Sequence, residues 1–404
     1  MATVIPFRAL RPTPEAAARV AAVPYDVVST DEARSLAAGN PLSFLHISRA
    51  EIDLGADVDP YADAVYARAA SNFADLRRTA PLLTEEAPSL YVYRLRQGSH
   101  EQTGIAGTFS INEYEHGVIL KHERTRRDKE DDRTRHILEL RAQTGPVFLV
   151  YKSSSAVDAV VERAIAQAPL FDLTAADGVE HTIWRLNPGH SEEIVKAFGD
   201  VPALYIADGH HRAASAARAR QQLSEKEGTG AFDRFLAVAF PDTQMQILPY
   251  NRIVKNLGQH TSESFMNALR ERVNVTEGCA IPASKGQVSM YLAGRWYALT
   301  LGPARAGPGA EERLDVSRLQ EEVLAPMLDI GDVRTDKRID FIGGARGPSE
   351  LEKLVDTGKA AVAFSMHPVG VDDLMEISDA GGIMPPKSTW FEPKLRDGLL
   401  IHLI

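Results

Sequence analysis

The sequence predicts a mixed α/β (α+β) protein with more than one domain, and three observations predict it. At 404 residues the chain exceeds one ordinary hydrophobic core. Its 44% apolar and 25% charged residues are the balance of a soluble globular protein. Segments of helical and of strand periodicity alternate along its whole length.

The elements follow in order. "VPYDVVSTDEARSLAAG" reads as an extended segment, an N-cap at Ser29 or Thr30, and a helix ending at Gly39. "DPYADAVYARAASNFADLRRT" carries apolar residues at helical spacing. "SLYVYRLRQ" and "TGIAGTFSINEY" alternate as two strands joined by a polar turn. Lys121 to Arg135, "KHERTRRDKEDDRTR", holds seven basic and five acidic residues, and a solvated surface is the ordinary reading of such a run. "HILELRAQTG" reads as a helix closed by Gly145 and "PVFLVYKS" as a buried strand. A helix, a strand "HTIWRLN" and a helix "SEEIVKAF" fill residues 155–200, and "PALYIADGHHRAASAARARQQL" is strand, tight turn and long helix. "FDRFLAVAFPDTQMQILPYNRIV" gives two strands around a turn at Pro241 and Asp242. Past residue 255 the pattern restarts, with strands such as "QVSMYLAG", "RWYALTL" and "AAVAFSM" and helices such as "VSRLQEEVLAPML" and "GVDDLMEISDAG". A Gly/Pro/Ala stretch near 302–310 reads as a flexible surface turn, and a domain boundary is expected near 255.

Composition narrows the function. A net charge of −10 argues against nucleic-acid binding by bulk electrostatics. No apolar run approaches the ~20 residues of a membrane helix, and "MATVIPFRAL" lacks the features of a signal peptide. The single cysteine, Cys279, precludes an intramolecular disulfide and reads as structural. These points together predict a cytoplasmic protein without nucleic-acid or membrane partners, and leave room for a small basic pocket that takes an anionic ligand.

Three motifs carry chemistry. In "ADGHHRAA" a strand, an Asp-Gly turn and a helix head bring free backbone N–H groups to one point, where the helix dipole favours an anion. Arg212 can add a charged fork to a phosphate, and His210 or His211 a further donor. Two other readings stay open: a metal site, although adjacent histidines point ~100° apart on a helix, and Asp208 as a plain N-cap with incidental histidines. In "KHERTRRDKEDDR", Glu123 beside cations is placed to act as a general base, with Lys129 and Arg133 completing an anion-binding surface. In "MPPKSTWFEPKLRDGL", two prolines hold the chain extended before Lys387, Ser388 and Thr389, and Lys394 adds a second cation. The glycines of a Walker A loop are missing there. Upstream, Tyr25, Asp26, Asn40, His46 and Glu51 stand next to turns and are placed to line a cleft, although each taken singly reads as structural.

With "PYDV", "HERT", "ADGHHR" and "MPPKSTWFEPKL" in this order, the chain resembles a large bacterial family of unknown function over essentially its whole length. It also resembles the free-serine kinases of archaea, whose catalytic domain is ParB/sulfiredoxin-like. Those kinases carry a PHE segment, a DGHHR turn and a PKTT segment, matched here by Lys121 to Glu123, Asp208 to Arg212, and Pro386 to Thr389. The resemblance implies an N-terminal extension over 1–110, a ParB/sulfiredoxin-like nucleotide-binding catalytic domain over 111–255, and a C-terminal α/β domain over 256–404 carrying the substrate loop. It implies a kinase using ATP or ADP with Mg²⁺ to phosphorylate a free hydroxyl acceptor, foremost L-serine. Glu123, Asp208 and His210 would be catalytic, with Asp208 also a metal ligand. Gly209, His210, His211, Arg212, Lys129 and Arg133 would hold the nucleotide. The substrate group would be Lys387, Ser388, Thr389, Trp390, Lys394 and Arg252. Where the kinases continue with Arg and His, this chain has Trp390 and Phe391, so an acceptor carboxylate needs another cation, with Lys387, Lys394 or Arg252 available. The alternatives are a non-catalytic ParB-like nucleotide-binding or regulatory protein and a metal-dependent hydrolase using His210 and His211.

Overall fold

The computed structural model describes residues 1–79, 82–302 and 309–404. Most of the Gly/Pro/Ala stretch near 302–310 lies outside the described residues. The chain forms two compact units, one of Met1–Leu120, Thr125–Met245 and Pro393–Ile404, the other of Lys121–Arg124 and Gln246–Glu392.

The first unit is built on a mixed sheet. Its strands run in the order Ile119–Leu120, Leu204–Asp208, Val147–Tyr151, Arg234–Pro241, His100–Ser110, Tyr91–Gln97, Glu180–Arg185 and Phe171–Thr174, with Val4–Ile5 pairing beside His100–Ser110. Val147–Tyr151 is buried at every position and Arg234–Pro241 at all but the first, as expected of strands covered on both faces. Gly104 permits the close packing of that centre, because a Cβ there would lie 2.6 Å from the Ala239 carbonyl. The hairpin read from "SLYVYRLRQ" and "TGIAGTFSINEY" forms as Tyr91–Gln97 and His100–Ser110, with Gln97 opposite His100. These strands from the first 110 residues lie inside the sheet, flanked by partners at 180–185 and 234–239.

The helix Arg127–Leu140 packs on His210–Glu227, whose Ala213, Ala216 and Ala219 are buried and allow close approach. The charged run is therefore partly structural, since Arg218 pairs with Glu130 at 3.3 Å and Asp131 at 2.5 Å. Its helix stops at Leu140, not at Gly145: Arg141 adopts the left-handed conformation (φ 50) and forks onto Glu227 at 2.9 and 2.8 Å. A second apolar cluster gathers Phe44, Val65, Phe73, Leu140 and Ile401. Its helix Thr30–Ala37 starts at the Ser29 cap in a reciprocal box with Glu32.

The second unit holds an antiparallel sheet in the order Asn274–Glu277, Arg295–Thr300, Gln287–Leu292, Val362–Met366, Tyr250–Val254 and Ile339–Gly343. A short ribbon pairs Gln246–Leu248 with Trp390–Glu392. "VSRLQEEVLAPML" is not one regular helix. Asp315–Leu319 passes into a π-helical turn, Gln320–Leu324, before Ala325–Leu328. Pro326 has no N–H to donate four residues back and its ring crowds that carbonyl, so the ladder widens there. The fold is thus mixed α/β, and among the described residues no helix is long and apolar enough to cross a membrane.

Candidate functional site

In the first unit the strand Leu204–Asp208 delivers Asp208 to a turn at Gly209, and the helix begins at His210. Gly209 sits at φ +90, and a Cβ there would meet Arg212 Nε at 2.9 Å, so both backbone and neighbour require glycine. Arg212 folds back under the turn. Its Nη2 donates to Asp208 Oδ2 at 2.7 Å and its Nη1 to the Pro146 carbonyl. Lys394 Nζ stands 3.5 Å from Asp208 Oδ1, which pairs with the aspartate a lysine first grouped with the substrate segment. Burial opposes ionisation of Asp208, but Lys394, Arg212 and His210 outweigh it and hold the carboxyl well below the usual range. Ala213 N–H makes a helical bond, to the Gly209 carbonyl at 3.0 Å. The N–H groups of His210, His211 and Arg212 precede it and head the helix, as an anion site requires.

The other candidate site residues of this unit are His210, His211, Lys129 and Arg133. His210 is buried, and His211 Nε2 accepts from the Arg126 backbone N–H at 3.0 Å, leaving a neutral ring its proton on Nδ1. Lys129 Nζ bonds the Tyr61 hydroxyl at 2.7 Å. Arg133 pairs with Asp132 at 2.8 Å, donates to the Ser48 carbonyl at 3.3 Å and lies 4.1 Å over the Tyr25 ring. Lys129 thus bonds a surface tyrosine, while Arg133 lines the interior.

Arg133 and Arg212 both line a cavity of about 40 Å³, together with Tyr25, His136, Thr144 and Asp397. That is room for roughly two or three waters, and three buried polar atoms around it have no hydrogen-bond partner among the described residues: Ser48 Oγ, Arg212 Nε and Asp397 Oδ1. Burial pushes the Asp397 carboxyl up to about 7, against the pull of Arg212. Sequence reading missed Asp397; its signal is a lone acid entering the apolar run "GLLIHLI".

A pH dependence follows. Folded Asp397, at about 7 against an ordinary 3.8, keeps a proton that the unfolded chain releases, so its contribution to stability falls as pH rises through that window. Burial moves His136 and His402 the other way, from 6.5 to about 4, so their contribution is full above 6.5 and lost as pH falls to 4. Urea unfolding at pH 6 and pH 8 should therefore show Asp397→Asn gaining about 1 kcal/mol on the wild type between the two conditions. Parallel behaviour of the two proteins would contradict this assignment.

In the second unit, segments far apart in sequence meet. The His122 carbonyl accepts from Met384 N–H at 2.8 Å, and His122 Nε2 lies 3.5 Å from Thr389 Oγ1. Glu123 follows on the same strip of chain and is half-buried. Ser388 is buried and its Oγ donates to the Pro385 carbonyl at 2.6 Å. Lys387 is exposed, in the left-handed region at φ 59, with Nζ 5.4 Å above the Tyr250 ring. Trp390 stacks edge-on against Tyr250 at 5.2 Å and donates to Glu392 at 2.7 Å. Arg252 donates to the Tyr250 carbonyl and, at 3.0 Å, to the Lys387 carbonyl. The structure so joins Glu123 to Thr389 through His122, and Arg252 to Lys387. His122 was quoted in the motif but given no role.

Asp208 does not fit as a magnesium ligand in this arrangement. Both of its oxygens already face a cation, whereas Mg²⁺ takes free carboxylate oxygens in near-octahedral geometry.

Comparison with known proteins gives the following. The family model described as "Protein of unknown function (DUF1015)" matches residues 4–317. No curated protein matches the chain. Solved structures with a related arrangement include a conserved hypothetical protein from Pyrococcus furiosus, 15% identical over 74% of this chain and 95% of that one, with a TM-score of 0.37. Another is a free serine kinase in complex with AMP, 14% identical over 71% of this chain and 86% of that chain, TM-score 0.35. A third is SbnI with C-terminal truncation from Staphylococcus aureus, 12% identical over 74% and 87%, TM-score 0.40.

Proposed function

The chain belongs to the DUF1015 family of proteins of unknown function, and we propose that it is a small-molecule kinase, transferring phosphate from ATP or ADP to a free hydroxyl acceptor, foremost L-serine. One observation carries this reading. The "KHE" and "PKST" segments, 267 positions apart at His122 and Thr389, come together in one unit, beside a half-buried carboxylate, Glu123, of the kind that removes a hydroxyl proton. Support also comes from the turn Asp208–Arg212, which opens a helix whose head and dipole favour phosphate oxygens.

The chemistry asked of these residues is modest, because phosphoryl transfer depends on positioning and charge neutralisation. The acceptor oxygen forms a bond to the terminal phosphorus, the bond from that phosphorus to the nucleotide's bridging oxygen breaks, and the acceptor proton passes to Glu123. ATP leaves as ADP, or ADP as AMP. Magnesium arrives with the nucleotide as part of the substrate complex. Arg212 acts as a positioning residue: it fixes Asp208 and the strained Gly209, which set the direction of the helix head.

A second reading, a nucleotide-binding regulatory protein, draws on the bonds of Arg212 to Asp208 and Pro146 and of Lys394 to Asp208, none of which uses Glu123. Calorimetric titration with ATP and ADP, followed by a screen of free amino acids and sugars as acceptors, separates the two. A phosphorylated acceptor supports the kinase. Nucleotide binding with every acceptor unchanged supports the regulatory protein.

A further inference from the structure

The second unit holds a cavity of about 230 Å³, several times the first unit's cavity and sized for a metabolite, not a drug-like molecule. Its lining carries both signs of charge. Arg252 is one lining residue, 4% exposed, with the Phe341 ring 5.5 Å away. Two of its N–H groups are taken by main-chain carbonyls, yet among the described residues no carboxylate pairs with it. Burial drags its proton affinity down to about 9, with only Tyr250 opposing, so the guanidinium is desolvated and uncompensated. Gln320, Glu312 and Glu321 line it too. The Gln320 amide nitrogen donates to the Ile330 and Gly331 carbonyls at 2.5 and 3.3 Å, which fixes which way the amide points. Its Oε1 is then a buried acceptor with no donor. Gln320 also opens the π-helical turn, the local distortion that proteins most often keep at sites that bind or react.

We propose that this cavity binds a small zwitterion of the α-amino-acid class, its carboxylate on Arg252 and its ammonium shared by Gln320 Oε1, Glu312 and Glu321. Each group unsatisfied among the described residues then meets its complement: a cation without an anion, and a buried acceptor without a donor in a lining that also carries two acids. A phosphate dianion would satisfy Arg252 but sit against two glutamates. A simple carboxylate would leave Gln320 Oε1 unpaired, and an amine would leave Arg252 uncompensated. The cavity wall includes Pro385 and Pro386, which lead directly into Lys387, Ser388 and Thr389. That the bound zwitterion is also the phosphoryl acceptor rests on the kinase reading above; that it binds does not.

The test is calorimetry on the full chain without nucleotide, using L-serine within a panel of free L-amino acids. 3-Hydroxypropionate, which is serine without its ammonium, and ethanolamine, which is serine without its carboxylate, serve as controls. At least one amino acid should bind and both controls should fail. Arg252→Met should weaken the binding about 30-fold or more. Because Arg252 also ties down the Lys387 carbonyl, the exposed pair Glu312→Gln/Glu321→Gln is measured beside it and should weaken binding about 3- to 10-fold, with ADP affinity intact. No binding by any amino acid, equal binding of the controls, or an unchanged affinity in both variants overturns the site. Amino-acid binding that follows this pattern with no phosphoryl transfer keeps the site and removes the kinase reading.

Discussion

Glu123→Gln is expected to lower phosphoryl transfer by ~10²–10⁴-fold while leaving nucleotide affinity unchanged. The change keeps the size and hydrogen-bonding reach of the side chain and removes only its ability to take a proton. Glu123 is given the acceptor proton and no part in holding the nucleotide, so activity and nucleotide affinity are measured as separate readouts. Full activity in the variant would remove Glu123 as the base. Loss of nucleotide affinity along with activity would show that its role is binding. His122→Ala is the companion: its ring contacts Thr389 and its carbonyl holds Met384, so a positioning role predicts a larger change in acceptor KM than in kcat.

The second large effect belongs to Asp208. Asp208→Asn removes the carboxylate that pairs directly with both Arg212 and Lys394 at a buried position, and stability should fall by ~3–5 kcal/mol in denaturant unfolding. Nucleotide affinity should fall with it, since Arg212 then loses the bond that holds it beneath Gly209. Asp397→Asn is the internal contrast. It also removes a buried carboxylate near Arg212, but one whose Oδ1 has no hydrogen-bond partner, and it should be neutral or stabilising at pH 8. Two aspartates facing the same arginine thus carry opposite predictions. If both variants lose stability alike at pH 8, the account of their charge states is wrong.

Much of this was legible in the sequence where the determining forces are local. The Ser29 cap, the hairpin of Tyr91–Gln97 with His100–Ser110, and the strand-turn-helix at Asp208 depend on residues within a few positions of one another, and each forms as read. What was not legible depends on partners far along the chain. Arg212 looked like a fork for a ligand, but its partners include Pro146, 66 residues away. Lys394 looked like part of the substrate segment, yet its partner is Asp208, 186 residues away. The end of the helix at Leu140 escaped because a left-handed arginine, held by Glu227, did the work expected of Gly145. Arg252 was picked only as a spare cation. That no carboxylate among the described residues forms an ion pair with it is a property of packing that no pattern of neighbours reveals.

The central claim is phosphoryl transfer to a free hydroxyl, and phosphorus NMR tests it most directly. The wild-type chain is incubated with Mg²⁺, L-serine and either ATP or ADP. The account predicts a growing phosphomonoester resonance matching O-phospho-L-serine, matched by loss of the nucleotide's terminal phosphate and absent with Glu123→Gln. Nucleotide resonances that shift on binding but remain undiminished, with no phosphomonoester from serine or any other free acceptor, would contradict it.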